Sequence, residues 1–216
     1  MTAAEKFEYM TVEEYLKFEE KSSTKHEYVD GRIFDVTGAS RRHNIIGGNV
    51  FAVLHGFLDG TPCRPFIEAM KARVRTANCF YYPDVMVACD ESAAEESVYT
   101  ECPVLIVEVL SPSTAAVDRR EKLTNYTKIP TLVEYLIVHQ RYRRVELYRK
   151  DHDANWTKTE YRGMDHLVLE SLPKGKLTIS LDTIYKNVSL KHGSLEVQEG
   201  EEEYYISAEE AEALDW

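Results

Sequence analysis

With 216 residues, 44% of them hydrophobic and 29% charged, the chain can build one substantial core, and no stretch approaches the ~20 apolar residues that cross a bilayer. The net charge of −11 argues against a basic, phosphate-binding surface, yet nine acids between Ser189 and Trp216 face only Lys191, so that tail carries −8 and the rest −3. A start of Met1-Thr2-Ala3-Ala4-Glu5 lacks the basic and apolar segments of a secretory leader, and the expected location is the cytoplasm.

In chain order, Thr11 and Glu14 form a capping box, and Val12, Tyr15, Leu16 and Glu19 follow at helical spacing, predicting a helix over 12–20. Asp30-Gly31 between Glu27-Tyr28-Val29 and Arg32-Ile33-Phe34 predicts a two-residue hairpin turn and places Glu27 on a strand. Ile46, Val50, Val53, Leu54, Phe57 and Leu58 predict a core helix over 42–58 with His43 in its first turn. Gly47-Gly48 inside that helix suggests close packing against a neighbour. Strands are expected at 64–69 and 71–76, the second with Lys71, Arg73 and Arg75 outside, then at 80–88 and 103–110, with a polar excursion over 89–101.

Ser111-Pro112-Ser113-Thr114 ends a strand and caps a helix running to about 128, before Pro130; strands at 132–138 and 144–149 follow. Strand, helix and strand over 103–138 read as a crossover with two parallel strands, making the sheet mixed. Further short strands are expected at 156–161 and 167–169, with a strand running into a terminal helix over 177–188. Residues 189–216 form an acidic tail that either shields a site as a polyanion mimic or aids solubility. Cys63, Cys79, Cys89 and Cys102 show no metal-ligand spacing and read as free thiols in a reducing compartment.

Asp84 precedes the apolar run Val85–Ala88, and Glu108 follows the run Val104–Val107. Antiparallel pairing of these runs predicts partners 84/108, 86/106 and 88/104, with two carboxylates facing each other at cross-strand distance. Such anions repel unless one is protonated or a cation lies between them, and a divalent metal is the simplest remedy. Asp118, Lys122 and Tyr126 form one stripe of the crossover helix, from which Lys122 reaches back toward Glu108.

These residues, with Glu27 through Gly31, His43, Tyr82-Pro83-Asp84-Val85 and the run Glu108-Val109-Leu110-Ser111-Pro112-Ser113-Thr114, resemble the PD-(D/E)XK phosphodiesterases, and within them the Uma-type restriction-endonuclease-like family. The resemblance implies an α/β (α+β) fold, a restriction-endonuclease-like mixed β-sheet flanked by helices, over residues 1–188. It implies a metal-dependent endonuclease acting on DNA, with a homodimer suited to cutting both strands. Asp84, Glu108 and the Val109 carbonyl would hold Mg²⁺ or Mn²⁺, while Glu27 and His43 are auxiliary site residues. The superfamily lysine two positions after the glutamate is replaced by Leu110, and Lys122 is its expected substitute. The competing expectation, which Leu110 and the acidic tail favour, is a nuclease-like scaffold that binds or assembles without catalysis.

Overall fold

The computed structural model describes residues 9–36, 38–89, 96–111 and 118–190, excluding the side chains of 118 and 119. Helix α1 (Val12–Lys21) starts at Thr11, whose hydroxyl accepts from the Glu14 N–H while the Glu14 carboxylate accepts from the Thr11 N–H. Strands β1 (His26–Val29) and β2 (Arg32–Asp35) pair antiparallel around Asp30-Gly31, where φ is 43° and 93°. Glycine is favoured at position 31 by its φ of 93°, and a Cβ there would in addition displace the exposed Tyr9 ring.

Helix α2 (Arg41–Leu58) is capped by the Ser40 hydroxyl, which accepts from the His43 N–H, and buries Ile46, Val50, Leu54 and Leu58. The close packing expected at Gly47-Gly48 is absent: a Cβ at either position meets nothing within 4 Å. Gly48→Ala is therefore expected to stabilise the protein by about 0.5–1 kcal/mol through backbone entropy, measured as a higher denaturation midpoint. A lowered midpoint would reveal a neighbour at that face.

Strands β3 (Arg64–Ile67), β4 (Lys71–Val74), β5 (Cys79–Tyr81), β6 (Val85–Ala88), β7 (Tyr99–Thr100) and β8 (Pro103–Leu110) follow. A π-helical turn at Asp118–Lys122 leads into α3 (Leu123–Tyr126), then β9 (Glu134–His139), β10 (Arg144–Lys150) and β11 (Trp156–Arg162). The hairpin β12 (His166–Leu169) and β13 (Leu177–Ser180) ends in α4 (Leu181–Ile184). Two larger sheets result, ordered β2-β1-β5-β4-β7 and β11-β10-β9-β8-β6-β3. Strands β8 and β9 are parallel, as the crossover reading requires, within an otherwise antiparallel larger sheet. Alternation along the larger sheet gives it two apolar faces. Val85, Val87, Leu105, Val107, Val109, Leu136 and Val138 pack with α2 and the C-terminal hairpin, whereas Met86, Ile106, Leu110, Tyr135 and Ile137 pack with α3 and the smaller sheet.

Several expectations are corrected. The run 80–88 is two strands in different sheets, because Pro83 lacks the N–H a ladder needs and the chain crosses between sheets there. Lys71, expected outside, is buried; its ammonium donates to the Tyr82 hydroxyl at 3.3 Å and lies over that ring. Arg75 belongs to a 3₁₀ turn, which ends β4 at Val74. The excursion after β6 contains β7, paired parallel to β4, while residues 90–95 lie outside the described set. The acidic tail also lies outside it from residue 191 onward.

Cys63 and Cys89 form a disulfide, against the free-thiol expectation. Arg64 pairs with Ala88 across β3 and β6, so 63 and 89 are the next cross-strand pair, a proximity that their 26-residue separation conceals. Among the described residues no helix is long and apolar enough to cross a membrane.

Candidate functional site

The ladder between β6 and β8 pairs Val85 with Val107 and Met86 with Ile106, and Asp84 precedes the end pair as Glu108 follows it. The register slips after Val87, so Ala88 meets Pro103 and not residue 104. Side-chain alternation assigns Glu108 to the face of Ile106 and Leu110, under α3.

Glu108 is 3% exposed. Its Oε1 accepts from Lys122 Nζ at 3.2 Å and from the Tyr126 hydroxyl at 2.9 Å. Lys122, also buried, lies 2.9 Å from Glu27 Oε1, which in turn accepts from the Tyr82 N–H at 3.2 Å. One ammonium thus bridges two carboxylates from different sheets, with the Tyr81 ring 5.6 Å beneath it. Burial, and then the charges of Glu108 and Glu27, raise the Tyr126 hydroxyl well above its ordinary pKa, so it stays a proton donor.

Asp84 has its own partners. Its Oδ2 accepts from the Val109 N–H at 2.6 Å and lies 3.1 Å from His43 Nε2. Burial disfavours a charged His43, but the hydrogen bond and charge of Asp84, together with the charge of Glu68, outweigh it and raise the imidazole pKa. His43 Nδ1 is buried without a hydrogen-bond partner among the described residues. Glu68 accepts from Asn44 Nδ2 at 3.2 Å, and its N–H donates to the Asp84 carbonyl at 3.0 Å.

Glu27, Glu108 and Lys122 are therefore in direct contact, as are His43, Asp84 and Val109, and the two groups adjoin through the peptide joining Glu108 to Val109. Lys122 is shared by Glu108 and Glu27, and His43, when protonated, pairs with Asp84, so two basic side chains meet three carboxylates. Among the described residues no three His, Cys, Asp or Glu side chains are grouped as metal ligands would be. The donor types nevertheless fit a hard cation: two carboxylates and a backbone carbonyl suit Mg²⁺, which commonly takes only one or two carboxylates and keeps its waters. Asp118, expected on the stripe with Lys122, has its side chain outside the described set. Asp151-His152-Asp153 forms a polar turn, with Asp151 accepting from the N–H groups of Asp153 and Asn155.

Sequence reasoning assigned no role to Tyr126, although its place four residues after Lys122 on the same stripe was the available signal. Gln140 was missed altogether. Its Nε2 donates to the Leu110 carbonyl at 2.8 Å and its Oε1 accepts from Ser40 at 2.8 Å, tying the cap of α2, and with it His43, to the end of β8.

The Uma2 family model, described as "Putative restriction endonuclease", matches residues 12–182. Uncharacterized protein slr1290 of Synechocystis sp. is 34% identical over 183 residues, covering 85% of this chain and 95% of that one. Uncharacterized protein sll1609 of the same organism is 35% identical over 156 residues, covering 71% and 88%. A crystal structure titled as a putative nuclease belonging to DUF820, from Anabaena variabilis, shares the fold with a TM-score of 0.66 at 17% identity, covering 82% of this chain and 97% of that one. The match to the family model across nearly the whole described chain, joined to the restriction-endonuclease-like mixed sheet, establishes that this protein belongs to the Uma2 family.

Proposed function

We propose that the protein is a Mg²⁺- or Mn²⁺-dependent endonuclease that hydrolyses phosphodiester bonds in DNA. The observation that carries this reading is the meeting of Glu27, Glu108 and Lys122 at the strand end opposite Asp84, since Lys122 brings an ammonium to Glu108 although Leu110 occupies the usual lysine position. Asp84, Glu108 and the Val109 carbonyl would hold the ion. When bound, such an ion lowers the pKa of a coordinated water and offsets charge on the phosphoryl oxygens.

The chain's own groups have distinct tasks in this proposal. Tyr126 and Lys122 fix the Glu108 carboxylate by donating to one oxygen, and Lys122 supplies positive charge where the phosphorane is most anionic. Glu27 holds the Lys122 ammonium and accepts a proton from water entering between the strand ends. His43 orients Asp84 and donates to a phosphate oxygen when Asp84 turns toward a cation. Two copies acting together would cut both strands of a duplex.

The test is conversion of supercoiled plasmid to nicked and linear forms by purified protein. Activity is expected with Mn²⁺ or Mg²⁺, none with chelator, and loss in Asp84→Asn. Cleavage that survives both chelation and that substitution would refute the proposal.

One observation favours a second reading, a scaffold without catalysis: Asp84 and Glu108 are each already engaged by a basic side chain of the protein's own, His43 and Lys122. Titration calorimetry with Mn²⁺ separates the two, because a retired site gives no heat that depends on Asp84.

A further inference from the structure

Strand register aligns charged residues in rows across the larger sheet. Glu108 pairs with Ile137, Ile137 with Glu146, and Glu146 with Glu160, which sets the candidate site in line with two further carboxylates on β10 and β11. In the next row on the same face, Leu110 pairs with His139, the ladder continues from Val138 and Val145 to bring Arg144 beside His139, and Arg144 pairs with Arg162. Lys158 flanks these rows opposite Tyr148. With strands ~4.8 Å apart, the file from Leu110 to Arg162 runs about 14 Å outward from the site.

Ion pairs link the charges along this file. Glu146, 1% exposed, is shared by His139 at 2.9 Å, Lys158 at 2.7 Å and Arg144 at 3.5 Å. Glu160 is shared by Arg144 at 2.9 Å and Arg162. Among the described residues, Glu146 and Glu160 thus each hold more than one of these basic side chains. Glu146 lies inward and Glu160 is part-buried, while the side chains of Arg144, Lys158 and Arg162 are 33%, 42% and 61% exposed. In a protein this acidic, the solvent-facing cations Arg144, Lys158 and Arg162, which extend outward from the buried Leu110 and His139 beside the candidate site, are complementary to a polyanionic strand.

We infer that Arg144 and Arg162, flanked by Lys158, form a track for the phosphate backbone of the nucleic-acid strand entering the site. This rests on the nuclease reading above and deepens it. The track contacts phosphates and not base edges, so it confers register and affinity without sequence preference. Arg144 and Arg162 exchange part of their interaction with Glu160 for phosphate oxygens, to which guanidinium groups bind in bidentate fashion.

The experiment measures anisotropy of a fluorescent single-stranded DNA and of its duplex with the full-length protein, in chelator so that nothing is cleaved. Arg144→Gln/Arg162→Gln is expected to weaken binding about tenfold or more and to lower the slope of log affinity against log salt by about 1.5, since each phosphate contact contributes about 0.7–0.9. Arg162→Gln alone, at an exposed edge position that tolerates change, gives about half that slope change. Glu160→Gln releases both arginines and is expected to tighten binding; a purely structural role in shielding an edge strand would not produce that gain. Equal affinity and equal salt slope in all four proteins, alongside wild-type cleavage in Mn²⁺, overturns the track alone. A wild type that neither binds nor cleaves DNA overturns the nuclease reading with it.

Discussion

Glu108→Gln is expected to reduce metal-dependent plasmid cleavage by about 10³-fold or more while shifting the melting temperature by no more than a few degrees. Glutamine keeps the shape of the side chain and an oxygen that accepts from Lys122 and Tyr126, so both donors remain satisfied. Lys122 also retains Glu27 as its counter-ion at 2.9 Å, which prevents a bare buried ammonium. What disappears is the negative charge and a ligating oxygen at the strand end. Several kcal/mol of transition-state stabilisation are at stake, and each 1.36 kcal/mol is tenfold in rate. Single-turnover nicking at saturating Mn²⁺ measures the loss directly. A variant that cleaves at the wild-type rate would remove Glu108 from the metal shell, and the proposed chemistry would fail with it.

Where local chemistry determines the structure, the sequence was readable. Thr11 and Glu14 satisfy each other within one turn of chain, and Asp30-Gly31 fixes a hairpin whose register then follows, so both emerged as expected. The mirrored runs around Asp84 and Glu108 were readable for a related reason: period-two alternation and matched length leave few registers, and the pairing of Met86 with Ile106 is the expected one. The slip after Val87 depends on how β8 enters the sheet at Pro103, which no local pattern announces. Pro83 carried a signal that went unused, since a proline inside an apolar run argues against one continuous strand. The partners of each charge were less accessible. Helix spacing showed that Lys122 could reach Glu108, but its second partner, Glu27, arrives from the other sheet, and Cys63 meets Cys89 only because β3 pairs with β6. Gln140 connects α2 to β8 through a backbone carbonyl, a contact that leaves no trace in residue pattern.

Lys122→Met is expected to have the largest effect on stability, a loss of about 3–5 kcal/mol, because it leaves Glu27 and Glu108 close together without the ammonium that bridges them. Methionine fills much of the same space, so the loss is chiefly electrostatic and not a cavity effect. Glu108 is buried and Glu27 part-buried, so solvent screens their mutual repulsion poorly. The penalty therefore shrinks in acid, where protonation of either carboxylate ends the repulsion, and the variant should then approach wild-type stability. A divalent cation offers the alternative remedy. If Asp84 and Glu108 form part of a metal site, Mn²⁺ at about 100 times its dissociation constant should restore about 2.7 kcal/mol to the variant, read as a rise in denaturation midpoint that Asp84→Asn abolishes. The same Mn²⁺ should stabilise the wild type less, because there the ion competes with Lys122 for Glu108 and with His43 for Asp84. Acid rescue without Mn²⁺ rescue would mean that the strand ends hold an internal salt bridge and no metal, which would decide for the scaffold reading over the enzyme.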